Sequence, residues 1–264
     1  FQLVVDGAPL KETFGTKGEK WHWHDGGCVE LGNKAELALH DLTGFEGRCE
    51  AILFCKDTSF TPSNDIESLT KFRRKLLGLP THPTEAGSYD LAVVGGGFAG
   101  TCAAISAARN GLKVALIQDR PVLGGNGSEE VRVWPEGHTN EQPFPHIGDI
   151  VNEICPHVKN AKVMNGVAAK HFDDAQKMEV VDKEPNITCF IGNRAIKVET
   201  SNAQIKAVII QDIITAEQKR LTSTLFADCT GDATIGHLAG ADYEYEFKDL
   251  MGSTNLFNLL DGSK

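Results

Sequence analysis

No Cys-x-x-Cys pair occurs among the seven cysteines (28, 49, 55, 102, 155, 189 and 229), so a close dithiol redox centre finds no support. The count is odd, and Cys49 and Cys55, six apart in one apparent strand region, are poorly placed to bridge each other. Cys102 and Cys229 stand where a packed interior is expected and are read as buried neutral thiols. No apolar run approaches the roughly 18–20 residues of a membrane-spanning helix. Positive charge is short: 26 Lys and Arg against 36 Asp and Glu leave a net charge of −10. That argues against a nucleic-acid partner, which asks for a basic face. There is no internal repeat, no low-complexity tract and no visible secretory leader. An initiating Met is missing too, since the chain opens on Phe1-Gln2-Leu3, and it is read as a trimmed or partial sequence. Compartment and oligomeric state leave no mark. What is present is 264 residues, room for one large domain or two smaller ones, and 41% hydrophobic content, enough for ordinary cores.

The most informative stretch runs from Tyr89 to Arg120. A hydrophobic strand, Asp90-Leu91-Ala92-Val93-Val94, breaks into Gly95-Gly96-Gly97-Phe98-Ala99-Gly100, which satisfies G-x-G-x-x-G. A helix of small residues comes next, from Thr101 to Asn110, then Gly111 and the strand Lys113 to Ile117. In such a unit Gly95 allows the tight turn, Gly97 lets the backbone approach a pyrophosphate, and Gly100 lets helix and strand pack closely. The helix start adds unpaired N–H groups and a partial positive charge. Alone the glycine pattern is weak; between a strand and a helix, with a second strand on schedule, it predicts a bound dinucleotide.

The residues after Ile117 bear on which dinucleotide it is. The position that normally supplies a ribose-binding acid, 23 residues after Gly95, is Gln118, with Asp119 next and Arg120 after it. A Gln amide can hydrogen-bond a ribose hydroxyl without charge assistance, so Gln118 is the ribose candidate and Asp119 its substitute. Leu123 then leads into Gly124-Gly125-Asn126-Gly127-Ser128, a second glycine turn. A nicotinamide domain has no need of one there. A flavin domain does, because FAD lies extended past that loop.

Residues 89–264 resemble the FAD-dependent oxidoreductase family of glutathione-reductase-like flavoproteins. The resemblance rests on Asp90 to Gly100, Val114 to Arg120, Leu123 to Ser128, and Phe226-Ala227-Asp228-Cys229-Thr230-Gly231-Asp232. It implies FAD as cofactor, with Gly95, Gly97, Phe98, Ala99 and Gly100 at the pyrophosphate. It implies Gly124, Gly125, Asn126 and Ser128 beside the ring or ribityl chain. Thr230, Gly231 and Asp232 would form the third FAD motif, with Asn193-Arg194-Ala195 beside the adenine and Ala195 as its contact. Gln118 departs from the family's Glu. Asp232 has a plainer use as well, as cap of a helix expected over 233–239 and ended by Gly240.

Before this domain, Gln2–Val5, Glu36–His40 and Ala51–Cys55 alternate with turn residues and read as a small antiparallel β unit. The pattern of Phe14-Gly15, Trp21-His22-Trp23, Asp41 to Phe45 and Gly47-Arg48 resembles the β domain of xanthan-lyase-like members. His22 and His24 would share a strand face, but a third ligand is wanting, so no metal site is assigned. The Trp pair suits packing, or stacking on a sugar. Asp65 to Leu77 carries apolar residues at helical spacing, with Ser63 or Asn64 as cap, a basic run (Lys71, Arg73, Arg74, Lys75) read as a solvated face, and Gly78 as stop.

Beyond Arg120 come a polar loop from Trp134 to Pro145, a helix near Ile147–Ile154 and a charged stretch over 157–184. Strands are expected over Asn186–Glu199, and a meander over Ile205–Ile210 and Leu221–Ala227. The expected fold is α/β: a Rossmann-like FAD-binding domain with a parallel sheet and a β-meander, preceded by the antiparallel unit. The expected division is 1–57 accessory β unit, 58–88 helical connector and 89–264 FAD-binding domain, incomplete where Gly252 to Asn258 would open a substrate region. Glu130 and Arg132, two apart on an apparent strand, and His138 could touch a small-molecule substrate; none is assigned as catalytic. Two alternatives stay open, a nicotinamide-dependent dehydrogenase and a non-catalytic carbohydrate-binding protein with a degenerate flavin fold.

Overall fold

The computed structural model describes residues 1–18, 20–44, 48–133, 142–156 and 172–244. Phe45, Gly47, His138, most of the Trp134–Pro145 loop, 157–171 and 252–258 therefore lie outside the described residues. The chain divides into two compact units, Phe1–Thr81 and His82–Lys264.

In the first unit β1 (Gln2–Val5) lies between β2 (Ala8–Pro9) and β3 (Leu37–His40), antiparallel to both. Leu3 and Val5 point to one side of β1 and are buried, as a period of two requires. The third expected strand, Ala51–Cys55, does not form, and Ile52 and Phe54 remain exposed. Apolar residues make a strand only where a neighbour takes up the backbone bonds. Trp21–Asp25 is no strand either. His22 and His24 therefore share no strand face: His22 Nδ1 lies 2.9 Å from the Lys20 carbonyl and His24 Nε2 3.6 Å from Glu12.

Helix α1 (Ile66–Leu76) starts on neither Ser63 nor Asn64 but on Asp65, whose carboxylate accepts the Ser68 N–H at 2.8 Å. Ser63 instead accepts from Asp65 N–H, and Asn64 from Trp23 N–H. The helix ends before Gly78, whose φ of +66° suits glycine. Its basic run is only partly a solvated face. Lys71 pairs with Glu67 and Arg73 with Glu50, whereas Arg74 is buried and donates to the Pro80 carbonyl at 2.6 Å.

The second unit is built on a six-stranded sheet in the order β6-β5-β4-β9-β8-β7. Its strands are β4 (Thr84–Val94), β5 (Val114–Gln118), β6 (Ile187–Ile191), β7 (Asn193–Ser201), β8 (Gln204–Asp212) and β9 (Gln218–Asp228). β6, β5, β4 and β9 run parallel to one another, while β9, β8 and β7 form the antiparallel meander. β4 begins six residues before Asp90, because Thr84 and Glu85 already pair with Lys219 and Arg220 across a bulge at Glu85/Ser88. Ile187–Ile191, within the strands expected over Asn186–Glu199, is the parallel edge strand next to β5.

All five residues of β5 are buried, the mark of a parallel strand covered on both faces. Alternation then sorts the core. Val93, Val114 and Leu116 face helix α2 (Phe98–Arg109), meeting Ala104, Ile105 and Ala108. Ala92, Val94, Ala115 and Ile117 face the other way, onto Ala195, Val198, Val208, Ile210 and Ile235 of helix α5 (Thr234–Leu238). Helices α3 (Asp149–Ile154) and α4 (Asp174–Asp182) complete the α2 side through Ile154, Val180 and Val181. Burial of each such side chain is worth about 1.5–3 kcal/mol, so α2, though built of small residues, is firmly seated.

Candidate cofactor site

β4 ends at Val94 and the backbone turns through Gly95, whose φ is +104°. A Cβ on Gly95 would lie 2.2 Å from the Cys229 carbonyl oxygen. On Gly100 it would lie 1.8 Å from the Gly95 carbonyl oxygen, so this glycine sets how near α2 comes to β4. Gly96 is held on both sides: its N–H donates to Gln118 Oε1 at 2.9 Å, and its carbonyl accepts from Thr101 Oγ1 at 3.0 Å and from Gly124 N–H at 2.7 Å. Gly97 is different. Its φ of −66° and ψ of −177° suit any residue, and a Cβ there would meet nothing within 4 Å. Neither backbone strain nor packing within the protein asks for glycine at 97. Gly97 opens α2 without a side-chain cap, and the first turn carries no acidic residue. The unpaired N–H groups of that turn suit an anion.

The second glycine turn lies against the first. Gly97 and Gly124 form a parallel bridge, and a Cβ on Gly125 would lie 3.2 Å from Gly97 Cα. Gly124 has φ +108°, and Gly125–Gly127 is a single 3-10 turn. Gly127 is pressed on the Phe98 ring, which a Cβ would approach to 2.0 Å. Ser128 is buried and donates to the Gly125 carbonyl at 2.7 Å, so its hydroxyl is spent on the turn. Asn126 is exposed, as are Ala99, Gly231 and Asp232, while Thr230 is half-buried.

The third motif reaches the same place, since Cys229 N–H donates to the Val94 carbonyl at 2.7 Å. Here the helix cap differs from expectation. Asp228, not Asp232, serves α5: its Oδ2 accepts from Ile235 N–H at 2.7 Å and Gly236 N–H at 3.1 Å. Its Oδ1 accepts the Thr230 hydroxyl at 2.7 Å, and Thr230 Oγ1 accepts Thr234 N–H. Partial burial raises the Asp228 pKa, but the hydrogen bonds outweigh it and hold the carboxyl below its ordinary value. Asp232 makes no hydrogen bond or ion pair among the described residues, because the turn through Ala233 (φ +52°) carries its side chain away from the first N–H groups of α5.

The end of β5 is also resolved by geometry. Gln118 is 4% exposed, with both ends of its amide engaged inside the protein. Asp119 is half-buried and pairs with Arg194 at 3.4 Å, which ties this edge to the start of β7 near Ala195. Arg120 faces Glu130 at 4.0 Å. Glu130 and Arg132 do not lie on a strand: the chain turns there, with Arg132 at φ +62° and its Nε donating to the Glu129 carbonyl.

Two residues beside the site carry no motif in the sequence. Lys177 on α4 is fully buried beneath the second turn, where a Cβ on Gly124 would come within 2.7 Å of its Cε. Its ammonium donates to the Phe172 carbonyl and to Asp174 Oδ1 at 2.9 Å, and sits 5.6 Å from the Phe98 ring centre. Asp174 Oδ2 in turn accepts Glu129 N–H at 3.0 Å. The local signal is only an i,i+3 Asp–Lys pair, usual on exposed helices.

All seven cysteines are free. Burial pushes the Cys102 thiol to about 11 and Cys189 to about 12, and raises Cys229 as well. Those three are neutral at ordinary pH and unsuited to nucleophilic or dithiol chemistry. Among the described residues no helix is long and apolar enough to cross a membrane.

Residues 90–253, more than half of the chain, match the family described as FAD dependent oxidoreductase. The chain belongs to this family. Its cofactor is FAD, and the three glycine-bearing turns fit an extended dinucleotide, with an open approach at Gly97 and an uncapped helix start. Among solved structures, the chain is similar to THI4 of Thermovibrio ammonificans, at 21% identity and a TM-score of 0.42, over 66% of this chain and 69% of that one. It is also similar to the glycerol-3-phosphate dehydrogenase of Bacillus halodurans complexed with FAD, at 14% identity and a TM-score of 0.40, over 64% and 39%. A third is L-proline dehydrogenase from P. horikoshii, at 19% and 0.34, over 57% of this chain and only 24% of that one. The chain thus spans well under two-thirds of the length of the last two.

Proposed function

We propose that this chain holds the FAD of an oxidoreductase acting on a small organic, carbohydrate-related substrate. Bound flavin supplies the electron-transfer chemistry, and the protein supplies binding, orientation and field. The first turn of α2, from Gly97 to Gly100, takes the pyrophosphate. The end of β5 and the residues after it, Gln118 to Arg120, lie at the ribose, and the strand backbone at Ala195 meets the adenine. Gly125 and Asn126 line the middle of the cofactor, on a turn that Gly124 and the buried Ser128 hold in shape from within, with Thr230, Gly231 and Asp232 opposite. Residues 1–57 serve as an accessory β unit, 58–88 as a connector whose last residues already enter the sheet in β4, and 89–264 as the FAD-binding domain. The carbohydrate-related substrate rests on the likeness of the N-terminal β unit to that of xanthan-lyase-like members.

The observation that supports the cofactor placement is Gly97, where neither backbone conformation nor packing within the protein calls for glycine and a ligand's close approach would. A paired substitution tests the third turn. Asp232→Asn should unfold at the parental temperature but bind FAD several-fold more weakly, having lost a charged acceptor. Asp228→Ala should lose about 1 kcal/mol of stability by removing the bonds to α5. The Asp228 pKa is lowered in the fold, so its stabilisation is present above the unfolded value and fades as pH falls through the folded one. Thermal unfolding and FAD titration of both variants decide. An Asp232→Asn protein with parental affinity removes Asp232 from the site.

A further inference from the structure

Gln118 occupies the position where an acidic residue would face the ribose, yet its side chain turns into the protein. Oε1 accepts Gly96 N–H at 2.9 Å, and Nε2 donates to the Val122 carbonyl at 3.0 Å. Its methylenes pack on Gly96, where a Cβ would come within 2.9 Å of Gln118 Cβ. One partner is a donor and the other an acceptor. Of the acid and its amide, only the amide satisfies both; a carboxylate would set its lone pairs against the Val122 oxygen. The two bonds join the first glycine turn to the segment entering the second, and Gly124 N–H closes the same junction on the Gly96 carbonyl at 2.7 Å.

We propose that Gln118 is a positioning residue that locks the two glycine turns in register, and that the charged contact to the cofactor's adenosine ribose comes from Asp119. Asp119 is half-buried just past the strand end with its side chain still open to solvent, and Arg194, 3.4 Å away, orients its carboxylate without enclosing it. Diol recognition thereby shifts one residue along the chain, and the departure from an acid at 118 is compensated next door. This rests on the FAD placement proposed for the three turns.

The test uses the full chain, without cofactor and titrated with FAD at a temperature where every variant is folded. Gln118→Glu should lower the unfolding temperature of the cofactor-free protein and also raise the Kd for FAD in the folded state. A merely structural role would leave that Kd alone. Asp119→Asn should unfold like the parent and raise the Kd by about tenfold or more, the loss of a bond to a charged acceptor. A Gln118→Glu protein that keeps its unfolding temperature and binds FAD more tightly would make residue 118 the ribose ligand and overturn the proposal. Parental affinity in Asp119→Asn overturns the assignment of Asp119. A parent that takes up no FAD sinks the cofactor placement and the Asp119 assignment with it, while the unfolding arm still decides whether Gln118 is a lock.

Discussion

Gly100→Ala is expected to abolish the native FAD site and to cost the fold about 3 kcal/mol or more. The added Cβ would stand 1.8 Å from the Gly95 carbonyl oxygen and 3.1 Å from Cys229 Cβ. Main chain of Gly95 on one side and the Cβ of Cys229 on the other leave no flexible side-chain end to yield, so α2 must move off β4. That would part Ala104, Ile105 and Ala108 from Val93, Val114 and Leu116. Ordinary overpacking costs about 1–3 kcal/mol; a clash with main chain at this distance belongs at or above the top of that range. Denaturant unfolding of the cofactor-free protein reads the loss directly. A Gly100→Ala protein within about 0.5 kcal/mol of the parent would mean that α2 is not seated as described.

The second large effect concerns Lys177, where Lys177→Met should destabilise the chain by about 3–5 kcal/mol. Removing one partner of a buried ion pair leaves the other charge without compensation. Lys177 is fully buried and the Asp174 side chain is 7% exposed, so Asp174 would lose its cation with little water to replace it. The consequence travels to the site, because Asp174 also holds Glu129 N–H and the Lys177 stem supports Gly124. FAD affinity should therefore fall along with stability. Replacing both residues by apolar ones of similar size should cost less than Lys177→Met alone, since no buried charge is then orphaned. Equal losses in the single and double variants would show that the pair is not coupled.

The parts of the fold that local chemistry dictates were legible in the sequence. The β4–α2–β5 unit announces itself by two continuous apolar runs, by three spaced glycines and by a helix of small residues. The convergence of Gly95–Gly100, Gly124–Ser128 and Asp228–Asp232 followed from the family resemblance. What escaped depends on the chain meeting itself at a distance. Local capping rules favour Asp232, next to α5, yet the turn through Gly231 and Ala233 brings Asp228 over the N–H groups of Ile235 and Gly236. Asp174 and Lys177 sit in a polar stretch that looks solvated; only packing beneath Phe98 and Gly124 buries them. Gln118 could be read as a ligand because the sequence shows its type and position but not the two loop groups that occupy its amide. Ala51–Cys55 has the composition of a strand and no partner to make it one.

The whole cofactor placement turns on the pyrophosphate lying against Gly97, and a pair of titrations decides it. FAD is titrated into the parent and into Gly97→Ala at a temperature where both are folded, with unfolding of each followed in the absence of cofactor. A Cβ at 97 meets no protein atom within 4 Å, so the variant should stay within about 1 kcal/mol of parental stability, the scale of an N-cap change. Its affinity for FAD should fall by about a hundredfold or more, since the methyl enters the space of the phosphates. Parental FAD affinity in a folded Gly97→Ala protein would place the phosphates elsewhere.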